Sequence, residues 1–178
     1  MSSYQDIANA IQKKKLSPVY WLQGEESYFI DRLMDMAERD ILNETEASFN
    51  LTVFYGKDAE WNQVINACRK HPMFSTFQVV LLKEAQMMRD LIKLESYVSQ
   101  PLSTTIFIVA YKAKHPDKRT SFYKALQKHA VVFESAKLRD DKIQPWIEEQ
   151  LKERGYQMEK KAVAMLADHI GVDLSRII

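Results

Sequence analysis

Apolar and polar positions alternate along this chain with two different periods, and the switch between them divides it into elements. Ile7, Ala10 and Ile11 share one face of a helix expected over Tyr4–Lys14. Pro18 then opens a short apolar strand, Pro18–Leu22, which ends at Gly24. From Glu25 to Leu42 the spacing is helical again, with Phe29, Ile30, Leu33, Met34, Ala37 and Ile41 on the apolar stripe. Phe49 to Tyr55 (FNLTVFY) alternates and is rich in aromatic and β-branched residues, which predicts a strand. Trp61, Val64, Ile65 and Cys68 form one buried helical stripe, and Pro72 is the expected stop.

Val79–Leu82 is a continuous apolar run, the pattern of a strand covered on both faces in a parallel sheet. Asp90–Gln100 reads as a helix, Thr104–Tyr111 as a second doubly covered strand, Lys118–Lys128 as a helix and Val131–Glu134 as a last short strand. Strand and helix alternate throughout, which predicts an α/β domain with a parallel sheet over residues 1–139. After Leu138 the strand signal disappears. Ile143, Trp146, Ile147, Gln150 and Leu151 predict an amphipathic helix ended by Gly155, and Val163, Leu166, Ala167 and Ile170 mark another over Glu159–Ile170. Residues 140–178 therefore read as a small all-helical domain. Asp173 to Ile178 looks like the opening turns of a third helix, so this domain is expected to be incomplete.

Composition narrows the possibilities. The 178 residues suffice for one sizeable core and the start of a second unit, and 46% apolar with 28% charged residues is a globular balance. A net charge of +1 gives no bulk field towards nucleic acid or membrane, so any basic surface is local. The single cysteine, Cys68, excludes an internal disulfide framework and a thiolate zinc cluster and suits a reducing cytoplasm. The N-terminus lacks the apolar centre of a signal peptide, and the longest apolar runs are too short to span a bilayer. His71, His115, His129 and His169 share no ligand spacing, so no metal site is assigned. Cys68 lies on the core stripe and reads as structural, and Trp21 and Trp146 read as core.

Two stretches stand where nucleotide chemistry would be. A phosphate-binding loop follows a strand and opens a helix; its amides cradle phosphate, its lysine neutralises charge and its hydroxyl holds magnesium. Here the stretch is Gly24-Glu-Glu-Ser-Tyr-Phe29-Ile30-Asp31. Phe29 replaces the second glycine, Ile30 the lysine and Asp31 the hydroxyl, while Glu25 and Glu26 add repulsion. At ~5 Å and an effective dielectric of ~20, each such repulsion costs roughly 3 kcal/mol. The magnesium motif, four apolar strand residues followed by Asp-Glu, becomes Val79–Leu82 followed by Lys83-Glu84, with a cation in the metal's place. A strand, a glycine and a helix also occur in α/β folds without nucleotide ancestry; the failure of both motifs in the expected order favours a nucleotide fold without its chemistry. No catalytic centre and no cofactor are expected.

Met73 and Phe74 lie between Pro72 and the polar pair Ser75-Thr76. Large apolar residues in a connection either fold back on the core as a staple or serve a partner as a wedge. Lys112, Lys114, His115, Lys118 and Arg119 make a basic stretch that is either a solvated loop or a phosphate-contacting patch.

The order PVYWLQGEESYFI, FYGKDAEWNQVINACRKHPMFSTFQVVLLKEA and TTIFIVAYKAKHPDKRTSFYKAL resembles the delta subunit of the bacterial DNA polymerase III clamp loader, from about Pro18 onward. The resemblance implies an AAA+-like domain, P-loop-type but degenerate, followed by a small helical lid-type domain, with the family's collar domain expected to be absent from these residues. It implies a cytoplasmic, nucleoid-associated replication protein without activity of its own, acting within a DNA-directed DNA polymerase (nucleotidyltransferase) holoenzyme. Its partners would be the sliding clamp (beta subunit), delta-prime, gamma/tau and DNA. Met73 and Phe74 would be the pair that wedges into the clamp and opens it, flanked by Pro72, Ser75 and Thr76. Lys112, Lys114, Lys118 and Arg119 would be the DNA-facing candidates. Other readings of the same residues are an atypical nucleotide hydrolase and a nucleic-acid-binding adaptor.

Overall fold

Five parallel strands organise the first part of the computed structural model, which describes residues 2–170 and Leu174. They are β1 (Val19–Gly24), β2 (Leu51–Tyr55), β3 (Gln78–Lys83), β4 (Thr105–Tyr111) and β5 (Val131–Ser135), in the order β2-β3-β4-β1-β5. The register pairs Trp21 with Val109, Leu81 with Ile108 and Leu22 with Phe133. Insertion of β4 between β1 and β3 is the P-loop-type arrangement expected of the sequence.

The continuous apolar runs are explained by helices on both faces. Side chains alternate along each strand, so each strand supplies two cores. Val19, Trp21, Val80, Leu82, Phe107 and Val109 turn to one face, where α4 (Trp61–Cys68), α5 (Glu95–Val98) and α6 (Ser121–His129) cover them. Tyr20, Leu22, Val79, Leu81, Ile106 and Ile108 turn to the other, beneath α1 (Tyr4–Gln12) and α2 (Ser27–Asp40). Trp21 stands edge-on to Phe122 with ring centroids 5.5 Å apart. Truncating a fully buried leucine such as Leu81 in such a layer costs about 2–5 kcal/mol.

Three expectations are corrected. Phe49 and Asn50 belong to α3 (Glu44–Asn50), and β2 starts only at Leu51. The Asn43 side chain accepts from the Glu46 amide while the Glu46 carboxylate accepts from the Asn43 amide, a reciprocal cap that outweighs the strand-like alternation. The helix expected over residues 90–100 is a 3-10 turn at Leu91–Leu94 running into the single turn of α5. The Trp61 helix stops at Cys68, before Pro72. Met73 and Phe74 lie in a loop, the connection in which the sequence reading put them.

The chain through Ser135 forms one compact unit, and Ala136 onward forms a second; the sequence reading divides them at 139/140. The second unit contains α7 (Asp140–Glu153) and α8 (Lys160–Ile170). Among the described residues of these helices, Ile143, Trp146, Ile147, Val163 and Ala167 are buried. Gly155, at φ +73°, closes α7: its amide donates to the Lys152 carbonyl and that of Tyr156 to the Leu151 carbonyl. The third helix expected at Asp173–Ile178 lies outside the described residues, apart from Leu174, which is buried.

Candidate functional site

The carboxyl ends of the strands carry the expected nucleotide positions, and each is occupied by the protein's own groups. Gly24 ends β1 at φ +136°, and a Cβ there would meet the Ser135 carbonyl oxygen at 2.0 Å. The glycine is required by close approach to β5. Its amide donates to the Ala113 carbonyl at 2.9 Å, and that of Glu26 to the Ser135 carbonyl at 3.2 Å. Amides that would cradle phosphate are thus used internally. Glu26 is buried, and its carboxylate accepts from the Tyr28 amide at 3.0 Å. This side chain places a negative group at the N-terminus of α2, where an anion is favoured. Ile30 is fully buried, and Phe29 packs edge-on against Tyr4. Asp31 pairs with Lys112 at 2.9 Å.

The second motif is filled in the same manner. Lys83, at the end of β3, forms a 2.6 Å ion pair with Glu38 of α2. Partial burial works against its charge, but the Glu38 hydrogen bond and attraction hold its pKa above the ordinary lysine value. Glu84 follows in the left-handed region at φ +53°, exposed and turned into a 3-10 turn at Ala85–Met87.

Met73 and Phe74 lie beyond the opposite, amino ends of the strands, in the loop that enters β3. Phe74 is 92% exposed and Met73 54%. Neither staples the core. The loop is nevertheless tied down: the Met73 amide donates to Asn50 Oδ1 at 2.6 Å, and Asn50 Nδ2 donates to the Met73 carbonyl at 2.8 Å. Asn50, the last residue of α3, is fully buried, and its Nδ2 also donates to the Glu46 carbonyl at 2.9 Å. Phe74 itself sits at φ +56°, a conformation that costs a bulky residue on the order of 1–3 kcal/mol and persists only where its surroundings enforce it. On the far side, Phe77 packs partly buried against the α1/α2 core and the Gln78 amide donates to the Thr104 carbonyl at 2.9 Å. Of the flanking residues, Pro72 and Ser75 are half-buried and Thr76 is exposed. The sequence reading missed Asn50, which it placed inside a strand.

The basic stretch is divided. Lys112 is committed to Asp31, and Arg119 grips Asp117 through Nε and Nη2. That contact, with the Arg119 backbone amide, holds the Asp117 carboxyl below its usual range. Lys114 and Lys118 are exposed and, among the described residues, form no ion pair. Cys68 is buried and its thiol pKa is pushed up by desolvation, the opposite of a nucleophile's environment. Among the described residues no group of three or more His, Cys, Asp or Glu is arranged to hold a metal, and no helix is long and apolar enough to cross a membrane.

The strand order, the glycine turn after β1 and the helices on both faces define an AAA+-like α/β domain. Solved structures of that shape include a RuvB variant from Thermotoga maritima (TM-score 0.51, 9% identity, covering 92% of this chain and 53% of that one). A DNA polymerase III gamma subunit-related protein from Thermotoga maritima gives a TM-score of 0.50 at 11% identity, over 85% of this chain and 52% of that one. The chain belongs to the family described as DNA polymerase III, delta subunit, whose model matches residues 20–136, and the resemblance read in the sequence is borne out. It is 25% identical over 143 residues to the DNA polymerase III subunit delta of Bacillus subtilis, covering 75% of this chain and 41% of that protein. The solved Bacillus subtilis DNA clamp loader delta protein superposes with a TM-score of 0.80 at 23% identity, over 98% of this chain and 54% of that chain. The chain thus spans about half the length, or less, of these delta relatives.

Proposed function

We infer that this chain is the clamp-gripping part of a clamp-loader delta subunit, serving DNA replication within the DNA polymerase III holoenzyme. It binds the sliding clamp through Met73 and Phe74, with Pro72, Ser75 and Thr76 at the margin, and favours the opened ring for loading on primed DNA. The observation that carries this reading is the exposure of two large apolar side chains, 54% and 92%, on a loop fixed by hydrogen bonds. Burying both in a partner groove is worth roughly 3–6 kcal/mol in transfer terms. That suffices to bias an open–closed equilibrium when the open ring is gripped better than the closed one.

The domain makes and breaks no bonds in this reading. Internal use of the Gly24 and Glu26 amides, the Glu26 carboxylate at the α2 terminus and Lys83 in the metal position all oppose nucleotide binding. Its partners are the other loader subunits (delta-prime, gamma/tau), and the setting is cytoplasmic and nucleoid-associated. Any DNA contact from the basic stretch falls to Lys114 and Lys118, since Lys112 and Arg119 are already neutralised.

The test uses the full-length subunit and the purified sliding clamp of the same organism. Met73→Ala combined with Phe74→Ala is expected to weaken clamp binding by about 100-fold or more, with melting temperature nearly unchanged because both side chains are exposed. Wild-type clamp affinity in the double variant would overturn the assignment. Calorimetry with ATP and magnesium is expected to give no binding heat; tight binding would favour a nucleotide hydrolase.

A further inference from the structure

Asn50 and Met73 are 23 residues apart and meet only because the fold brings the end of α3 beside the loop entering β3. The pairing is chemically specific. A carboxamide presents one donor and one acceptor side by side, and it meets both the amide and the carbonyl of a single residue. Aspartate in that place would turn an acceptor towards the Met73 carbonyl, and alanine would satisfy neither group. The second Nδ2 hydrogen goes to the Glu46 carbonyl, which fixes the carboxamide plane from the helix side. The arrangement resembles one rung of a strand ladder made by a side chain.

The held residue is Met73, the exposed neighbour of Phe74 at φ +56°. A left-handed phenylalanine relaxes unless the residues around it are fixed. Here Asn50 fixes one side, and Phe77 with Gln78 at the start of β3 fixes the other. The sheet and its two cores do not include Met73 or Phe74, so this clamp orders residues that contribute nothing to the core. An apolar tip ordered in advance loses less conformational freedom when it docks.

Resting on the clamp-gripping reading above, we propose that Asn50 is the positioning residue of the Met73–Phe74 tip, holding it in its binding shape before the sliding clamp arrives. Its role is exerted through the Met73 backbone and requires no contact with the partner.

The experiment compares four full-length proteins, wild type, Met73→Ala/Phe74→Ala, Asn50→Ala and Asn50→Asp, by clamp affinity and by amide hydrogen exchange. Asn50→Ala is expected to weaken clamp binding about tenfold. It is also expected to speed exchange of the Met73 amide while the β3 amides stay protected, a pattern that general destabilisation would not give. Asn50→Asp keeps the shape and the acceptor for the Met73 amide but turns a buried carboxylate oxygen towards the Met73 and Glu46 carbonyls, and is expected to show a loss at least as large. If either Asn50 variant fails to fold, exchange of the Met73 amide against the β3 amides in the wild type carries the test. If Met73→Ala/Phe74→Ala loses binding while both Asn50 variants bind as wild type, the positioning role is overturned and the clamp-gripping reading stands. If Met73→Ala/Phe74→Ala binds as wild type, the clamp-gripping reading is overturned and this proposal with it. An unprotected Met73 amide in the wild type would also overturn the positioning role.

Discussion

The two ends of the parallel sheet handle their exposed chemistry in opposite ways. At the carboxyl ends, polar groups that could meet a ligand are turned inward: two amides to neighbouring carbonyls, Glu26 to its own helix, Asp31 to Lys112, and Lys83 to Glu38. At the amino ends, two large apolar side chains are turned outward on a loop whose polar groups are held by Asn50. A phosphate site needs unsatisfied donors, and this end offers few. A docking tip needs apolar area in a fixed shape, and the other end offers that. Under the clamp-gripping reading, a nucleotide-type fold moves its useful surface from one end of the sheet to the other without changing strand order.

Several measurements would break or sharpen this contrast. The Met73→Ala/Phe74→Ala loss of clamp binding is the largest effect expected, and it should leave stability alone. Gly24→Ala should do the reverse. Its Cβ would meet the Ser135 carbonyl oxygen at 2.0 Å and its φ of +136° is unfavourable for alanine, so a stability loss of about 3 kcal/mol or more is expected in urea denaturation. A loss below about 1 kcal/mol would mean that the glycine is not kept by packing. Glu26→Ala removes the N-terminal cap of α2 and is expected to cost about 1 kcal/mol, with no gain of ATP binding by calorimetry. ATP binding gained by that one change would show a site that was merely blocked rather than dismantled.

The last effect, absent at neutral pH, concerns the layer beneath the amino ends. Tyr97 is buried there, and desolvation pushes its pKa up to about 12, with the nearby Cys68 adding to the rise. A raised folded pKa means that the folded protein keeps the phenol proton after the unfolded chain, near pH 10, has lost it. Stability is therefore full below about pH 10 and falls as pH rises from about 10 to about 12. Tyr97→Phe should flatten the alkaline part of a stability–pH curve; an unchanged slope would mean that this layer is wet.

The sequence made most of the sheet legible. Val79–Leu82, Thr104–Tyr111 and Val131–Glu134 were placed within a residue or two because doubly covered parallel strands leave continuous apolar runs. The second strand was overextended because FNLTVFY alternates like a strand even where its first two residues are helical. The Asn43–Glu46 cap was the available signal for α3. The failed phosphate and magnesium positions were legible as substitutions, but not their partners: Glu38 and Lys112 reach them only through the fold. Exposure of Met73 and Phe74 was undecided from sequence, since a loop staple and a wedge have the same composition. Asn50 was invisible as a site residue because its importance lies in a contact across 23 positions.

The Lys83–Glu38 ion pair has a consequence for timing. A domain that carries its own permanent cation at the end of β3, neutralised by its own carboxylate, has no vacancy for a divalent ion to enter or leave. Chelators and added nucleotide are therefore expected to leave its melting temperature unchanged. Under the clamp-gripping reading, grip and release would then be scheduled from outside this domain, which would serve as a fixed tooth rather than as a moving part.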